Sequence, residues 1–356
     1  MYLKHFDLTA QPFRLTPDIG FLFMSEAHTR AKSYMDYTVW NQEGFMVITG
    51  DIGSGKTTLI EKLLSELDEG LLVAKIFQTQ LDEVEFLQAV LVQVGLDPLD
   101  AKKVELLDML NGFLVKRFQQ RKQIVLVVDD AHNLSMKVLE EIRMLSGLET
   151  RSEKVLHVIL VGQPQLDEIL DHPRMDQLRQ RVKLRYRLRA LNEAEIGAYI
   201  GHRLGVAGAK DKTLFQPETL PSIYKYTGGI PRLINTLCDM ALTCAYADGL
   251  PQVTPEVMES AINELQWPSY AERIEKHRLE RPSIPSENGM LEILREQSGA
   301  LAVIAGQAEK MEQVAPALES IGKSLAAIEA HLRNLAQKPG ADLRLEPTVD
   351  LRKKTG

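Results

Sequence analysis

Short apolar runs and amphipathic stretches alternate through the first half of the chain. Residues 45–49, 71–77, 124–130 and 157–163 are nearly continuous in apolar character, the pattern of strands buried on both faces of a parallel sheet. Between them, residues 84–94, 104–119 and 136–148 carry apolar side chains at helical spacing. Strands alternating with helices predict a doubly wound α/β domain over residues 1–190.

A fifth run differs. Val182, Leu184, Tyr186 and Leu188 alternate with Lys183, Arg185, Arg187 and Arg189, which gives one apolar face and one cationic face. That pattern suits an edge strand whose charges discourage illicit pairing. It also suits a basic docking face for an acidic partner or nucleic acid.

From residue 191 to 268 the pattern is helical only and predicts a small helical domain. Asn192 is placed to cap a helix with Glu193 and Glu195 in its first turn. Gly228-Gly229-Ile230-Pro231 breaks one helix from the next, and Thr254-Pro255 opens another. Residues 269–289 read as a linker, with Pro282, Pro285 and Gly289. Residues 290–337 read as two amphipathic helices separated at Pro316. In the second, Leu318, Ile321, Leu325, Ile328, Leu332 and Leu335 alternate steps of three and four, a short coiled-coil seam. Such a segment can self-associate or pack back on the body. Residues 338–356 are polar and are expected to be disordered.

Composition narrows the class. An apolar fraction of 44% over 356 residues permits a sizeable core. The net charge of −7 argues against a globally nucleic-acid-binding chain. The two cysteines, Cys238 and Cys244, fit no metal pattern and no disulfide framework, so buried reduced thiols are expected. The start lacks a signal-peptide core, and no window approaches a membrane span. A cytoplasmic protein is the expectation.

The chemistry centres on Gly50-Asp51-Ile52-Gly53-Ser54-Gly55-Lys56-Thr57-Thr58, which fits the phosphate-loop pattern G-x-x-x-x-G-K-[ST]. An apolar strand precedes it and a helix follows. Its glycines let backbone N–H groups curl toward phosphate oxygens, and the helix N-terminus adds a positive dipole end. Lys56 is placed for the β- and γ-phosphates of ATP, and the Thr57 hydroxyl for Mg2+. The run 124–128 ends in Asp129 and Asp130. Asp129 is placed to bind magnesium. Asp130 can orient the attacking water, or serve as a loop acid or helix cap. His132 reads as structural. Gln163, at the tip of another strand, could touch the γ-phosphate or simply sit in a Gly-Gln-Pro turn. Arg174, Arg179 and Arg181 are candidates for fingers acting on a neighbour's nucleotide, or for a basic surface helix.

Taken together, several motifs resemble the AAA+ ATPases of the general-secretion-pathway protein A family. Related ATPases of exopolysaccharide and exosortase loci and of pilus biogenesis are similar. The resemblance covers roughly residues 1–265. It rests on Gln11-Pro12-Phe13, Thr16-Pro17-Asp18, the phosphate loop, Glu140-Glu141-Ile142-Arg143-Met144-Leu145-Ser146 and Leu160-Val161-Gly162-Gln163-Pro164. Gln177-Leu178-Arg179-Gln180-Arg181 and Gly228-Gly229-Ile230-Pro231-Arg232-Leu233-Ile234-Asn235 complete it. The family pattern implies that Gln163 is the sensor-1 residue. It implies that Arg232 is the sensor-2 arginine of a helical lid, and that Arg179 or Arg181 is the arginine finger. It further implies a homo-oligomer and a cell-envelope protein partner, for which residues 290–356, outside the resemblance, are the candidate segment; a DNA-associated role, or a scaffold that holds ATP without significant turnover, is the alternative.

Two departures matter. The family usually has Asp-Glu where this chain has Asp129-Asp130, so the second carboxylate is one methylene shorter and slow hydrolysis is expected. Long members continue through a membrane span into a peptidoglycan-binding domain. The sequence shows neither, so direct wall binding is not expected.

Overall fold

The parallel sheet forms because its strands are apolar on both faces. In the computed structural model five strands, β1 (Phe45–Gly50), β2 (Leu72–Ile76), β3 (Ile124–Val128), β4 (Leu156–Gly162) and β5 (Leu184–Leu188), lie in the order β2-β3-β4-β1-β5. All pairs are parallel. The structure describes residues 2–280 apart from 41–43, 68–69, 99–100, 121, 148–154 and 211–212; for 277–280 only the helical backbone is described. The segments expected at 290–337 and 338–356 lie outside the described residues.

Alternate residues of each central strand feed two different cores. Phe45, Val47, Leu126, Val128, Val158 and Leu160 face one side. Met46, Ile48, Val125, Val127, Ile159 and Val161 face the other. A short helix α1 (Tyr2–His5) opens the chain. The second face is covered by α2 (Glu26–Trp40) and α3 (Lys56–Ser65). The first is covered by α4 (Glu83–Gln93), α5 (Lys103–Gln119), α6 (Met136–Leu145), α7 (Gln165–Leu170) and α8 (Asp176–Arg181). This is the doubly wound α/β architecture that the alternation predicts.

The two edges differ from the centre. At β5, Arg185 and Arg187 are exposed while Leu188 is buried, as strict alternation requires. Arg185 is not simply solvated, because Asp167 of α7 and Asp171 just past its end pair with it at 2.9 and 2.8 Å. At β2 the expected burial on both faces is incomplete: it is an edge strand with Leu72 and Val73 half-buried, and Phe77, just beyond it, is 53% exposed.

Helix α2 has no counterpart among the sequence-derived elements. Its buried stripe is His28, Ala31, Met35, Thr38 and Val39, with few large apolar residues. Its aromatics Tyr37 and Trp40 point to solvent instead, which blurs the helical period in sequence.

The lid consists of α9 (Glu193–Val206), α10 (Leu220–Thr227), α11 (Pro231–Ala247) and α12 (Pro255–Glu264). Asn192 caps α9 as expected, with a reciprocal bond from its own N–H to Glu195. The lid core is not built from residues 191–268 alone. Tyr2, Phe6, Leu8, Phe13 and Phe21 pack into it beside Ile196, Leu204, Ile234 and Leu237. The amino-terminal strap, assigned by sequence to the nucleotide-binding domain, therefore belongs physically to the lid core. Cys238 is fully buried there, whereas Cys244 is only half-buried; both are free thiols.

The expected linker from residue 269 begins instead as a helix, α13 (Tyr270–Glu280). It is held against the lid by Arg273, which lies over the Trp267 ring and donates to the Tyr226 carbonyl at the end of α10. Among the described residues, no helix is long and apolar enough to cross a membrane.

Candidate functional site

The carboxyl ends of parallel strands are where α/β proteins place ligands. Here β1 ends in Gly50, paired to Leu188 of β5, while Thr49 pairs with Gly162 at the end of β4. The phosphate loop leaves β1 at this rim and enters α3 through Gly55, which sits at φ 95° and provides no side-chain cap. The first amides of α3 are thus uncapped by a side chain, a ready anion site. Gly53 takes φ 80°, and a Cβ there would lie 2.4 Å from the Arg232 Cβ. Only glycine allows the lid to close on the loop that tightly.

Lys56 is buried and its ammonium donates to the Gly50 and Asp51 carbonyls at 2.7 and 2.8 Å. Burial pulls its pKa below the ordinary lysine range, and Asp129, Asp130 and Asp51 oppose that pull. Thr57 Oγ1 donates to Asp129 Oδ2 at 2.8 Å. Asp129 is 4% exposed, and its other oxygen accepts from the Asp130 N–H at 2.9 Å. Ser54 Oγ, also buried, has no hydrogen-bond partner among the described residues.

Asp130 sits in the left-handed region at φ 50°, on the tight turn into the 3-10 segment Ala131–Asn133. Its carboxylate is 59% exposed. Gln163 follows β4, with its amide nitrogen 2.8 Å from His132 Nε2. Arg232 opens α11 and its N–H donates to the Gly53 carbonyl at 3.2 Å. Asp130, Gln163 and Arg232 line one cleft of about 350 Å³ with Ile52, Gly53, Gly55, Lys56, Thr57 and Thr58. That volume suits a small ligand. Gly50, Asp51, Ser54 and Asp129 are not part of this lining; Gly50 and Asp51 accept from Lys56, and Asp129 accepts from Thr57.

The remaining wall escaped sequence reasoning. It comes from the strap residues Arg14, Leu15, Thr16, Pro17 and Phe23 and from Tyr199, Arg203 and Asn235 of the lid. Tyr199 donates to Asn235 Oδ1 at 2.7 Å, and Arg203 donates to the Pro12 and Arg14 carbonyls. Arg203 is buried and lies over the Phe21 ring, so it ties strap to lid. His28 of α2 was missed as well. It is buried, with Nε2 3.0 Å from the Ser54 carbonyl and Nδ1 2.7 Å from Ser25 Oγ. A neutral ring donating to Ser54 and accepting from Ser25 satisfies both nitrogens. Thr16, Pro17 and Asn235 lie in the motifs that carry the resemblance, but tertiary contacts alone place them and the others at the cleft.

Arg174, Arg179 and Arg181 do not line the cleft of their own chain. Arg181 donates to the Arg143 carbonyl and to Ser146 Oγ at 2.7 and 3.1 Å, so it caps the carboxyl end of α6. Arg179 is 47% exposed and pairs with Asp176, one turn away on the same helix.

Comparison with known proteins agrees with this geometry. Residues 40–170 match the family described as AAA domain. General secretion pathway protein A of Aeromonas hydrophila is 38% identical over 250 residues, which is 70% of this chain and 46% of that protein. The chain is an AAA+ protein related to general secretion pathway protein A. It spans about half the length of that relative. Solved structures extend the fold likeness of this AAA+ chain. The Aeropyrum pernix ORC2 protein, in ADPNP-ADP complexes, superposes with a TM-score of 0.53 at 20% identity, covering 73% of this chain and 70% of its own. Cdc6p from Pyrobaculum aerophilum gives 0.54 at 16% identity, over 70% and 71% of the two chains. These likenesses concern the fold alone.

The residues fit the group that the AAA+ fold implies, a nucleotide with Mg2+. An uncapped helix N-terminus, a buried cation and an unpartnered Ser54 hydroxyl converge on the loop. The hard oxygens of Thr57 and Asp129 are the donor type magnesium selects.

Proposed function

We propose that this chain is an ATPase that binds Mg-ATP in the cleft between its α/β body and lid. Its turnover drives or regulates assembly of a cell-envelope secretion, pilus or exopolysaccharide-export machine. The observation that carries the catalytic part is the Thr57–Asp129 bond beneath the phosphate loop, with Asp130, Gln163 and Arg232 opening onto the same cleft. The envelope role is supported by the relationship to general secretion pathway protein A.

In this reading the loop amides and Lys56 hold the β- and γ-phosphates, and Thr57 and Asp129 hold magnesium. When bound, the metal neutralises charge on the phosphates. Asp130 orients water, Gln163 senses the γ-phosphate, and Arg232 reaches the nucleotide from the lid. Arg179 is the better finger than Arg181, because Arg181 is already committed to α6. A finger acting in trans requires a homo-oligomer. The shorter Asp130 makes turnover slow. Residues 290–356 recruit the envelope partner, and the protein works in the cytoplasm, at the inner membrane through that partner.

A phosphate-release assay on the full chain with Mg-ATP, beside Lys56→Ala, tests the activity. Turnover that Lys56→Ala leaves unchanged would sink it. Deleting residues 290–356 should abolish recovery of the partner in a pull-down; undiminished recovery removes the recruitment role. The DNA-associated alternative loses one cation of its support, since Asp167 and Asp171 pair with Arg185 on the cationic face of β5, while Arg187 stays exposed. Salt-dependent DNA binding would reinstate it.

A further inference from the structure

We propose that His132 is a positioning residue for hydrolysis, linking the Gln163 amide to the Asp130 carboxylate across the tips of β4 and β3. The inference rests on the ATPase reading above.

His132 lies on the 3-10 turn directly after Asp130, and its side chain is 11% exposed. The turn is pressed against β4: a Cβ on Gly162 would approach the His132 backbone nitrogen to 3.1 Å. It is tied on its other side, where Asn133 Nδ2 donates to Thr79 Oγ1 at 3.4 Å. The imidazole is thus fixed between two strand ends.

Its two nitrogens have different fates. Nε2 meets the Gln163 amide nitrogen at 2.8 Å. An amide nitrogen only donates, so Nε2 accepts and the ring proton sits on Nδ1. Nδ1 is buried, has no hydrogen-bond partner among the described residues, and lies 3.9 Å from Asp130 Oδ1. Buried polar atoms are almost always paired. An Nδ1–H donor facing a carboxylate just beyond bonding distance has an obvious acceptor. The Asp130 backbone is held through its N–H and its side chain is exposed, so the freedom that sets this gap lies in the side-chain torsions.

The arrangement answers a specific difficulty of this chain. Asp130 is one methylene shorter than glutamate, and near-attack geometry is lost over about 1 Å. A donor that pins the carboxylate restores a defined position. Because the same ring holds Gln163, contact of that amide with a γ-phosphate would be transmitted to Asp130. Burial keeps the imidazole neutral at physiological pH, with Lys56 adding to the effect against Asp130 and Asp129.

The test is steady-state ATP hydrolysis and equilibrium Mg-ATP binding by the full chain. The variants are His132→Ala, His132→Asn, Gln163→Ala and the double variant His132→Ala/Gln163→Ala. His132→Ala should lower kcat about tenfold or more with Kd held within about twofold. His132→Asn, whose amide nitrogen stands near the Nδ1 position, should recover part of the rate. The double variant should be no slower than the slower single one, because both residues act as one unit. Turnover in the wild type with His132→Ala within about twofold of it overturns the inference and leaves the ATPase reading intact. A loss of Mg-ATP affinity as large as the loss of kcat makes His132 structural and also overturns it. No turnover in either wild type or Asp130→Glu overturns both.

Discussion

Thr57 Oγ1 donates to Asp129 Oδ2 at 2.8 Å, which joins the first turn of α3 to the end of β3. That bond holds two hard oxygen donors side by side at the mouth of the phosphate loop. Thr57→Val and Asp129→Asn should each weaken ATP affinity in magnesium by roughly tenfold to a hundredfold. Affinity measured in EDTA should change far less. Calorimetric titration with and without magnesium checks this, and equal losses in both conditions would show that the pair serves the loop rather than a metal.

Arg179 and Arg181 separate by two different measurements. Arg181→Ala removes charge-assisted bonds to the carboxyl end of α6 and should cost about 1–3 kcal/mol of stability. Arg179→Ala should leave the melting temperature unchanged and lower turnover by roughly a hundredfold or more in the assembled protein. Mixing Arg179→Ala with Lys56→Ala chains should restore some activity, since each supplies what the other lacks. The opposite assignment would appear as a stability loss in Arg179→Ala.

His28 makes stability depend on pH. Burial lowers its pKa in the folded chain, against support from the Ser54 carbonyl and Glu195. The unfolded chain therefore binds the proton more readily, and its ordinary value is about 6.5. Stability contributed by the neutral ring is fully present above that value and is lost as pH falls below it toward the folded pKa. Melting temperature should drop as pH falls below about 6.5, and the drop should shrink in His28→Gln. An unchanged pH profile in that variant would remove His28 from the account.

Gly53 couples loop and lid. A methyl group there would lie 2.4 Å from the Arg232 Cβ, at a backbone φ of 80°. Gly53→Ala should weaken ATP binding, and Arg232→Ala in the same chain should not recover it, because alanine keeps the clashing Cβ. Binding by Gly53→Ala equal to the wild type would show that lid and loop need not meet.

Contiguous signals were legible and assembled ones were not. Four strands read out because each is a short apolar run and the fifth because its polarity alternates, and the phosphate loop because its glycines, Lys56 and Thr57 are adjacent in sequence. Asp129 was marked by its place at the end of such a run. Helix α2 stayed hidden because its buried stripe includes His28, Ala31 and Thr38 while its aromatics face out. The strap from Tyr2 to Phe21 joins the lid through contacts nearly 200 residues away, such as Thr9 with Ala207 at 2.9 Å. No local pattern announces such a contact. Spacing could not separate Arg179 from Arg181, since only the bond to the Arg143 carbonyl tells them apart. No spacing in the sequence places His132 against Gln163, 31 residues on, where the fold brings them to 2.8 Å.

The central claim is Mg-ATP hydrolysis limited by the reach of Asp130. Steady-state phosphate release by the wild type, Asp130→Glu and Asp130→Ala tests it most directly. The account predicts slow turnover in the wild type, faster turnover with glutamate and a further loss with alanine, all at similar ATP affinity. No gain with glutamate and no loss with alanine would contradict it.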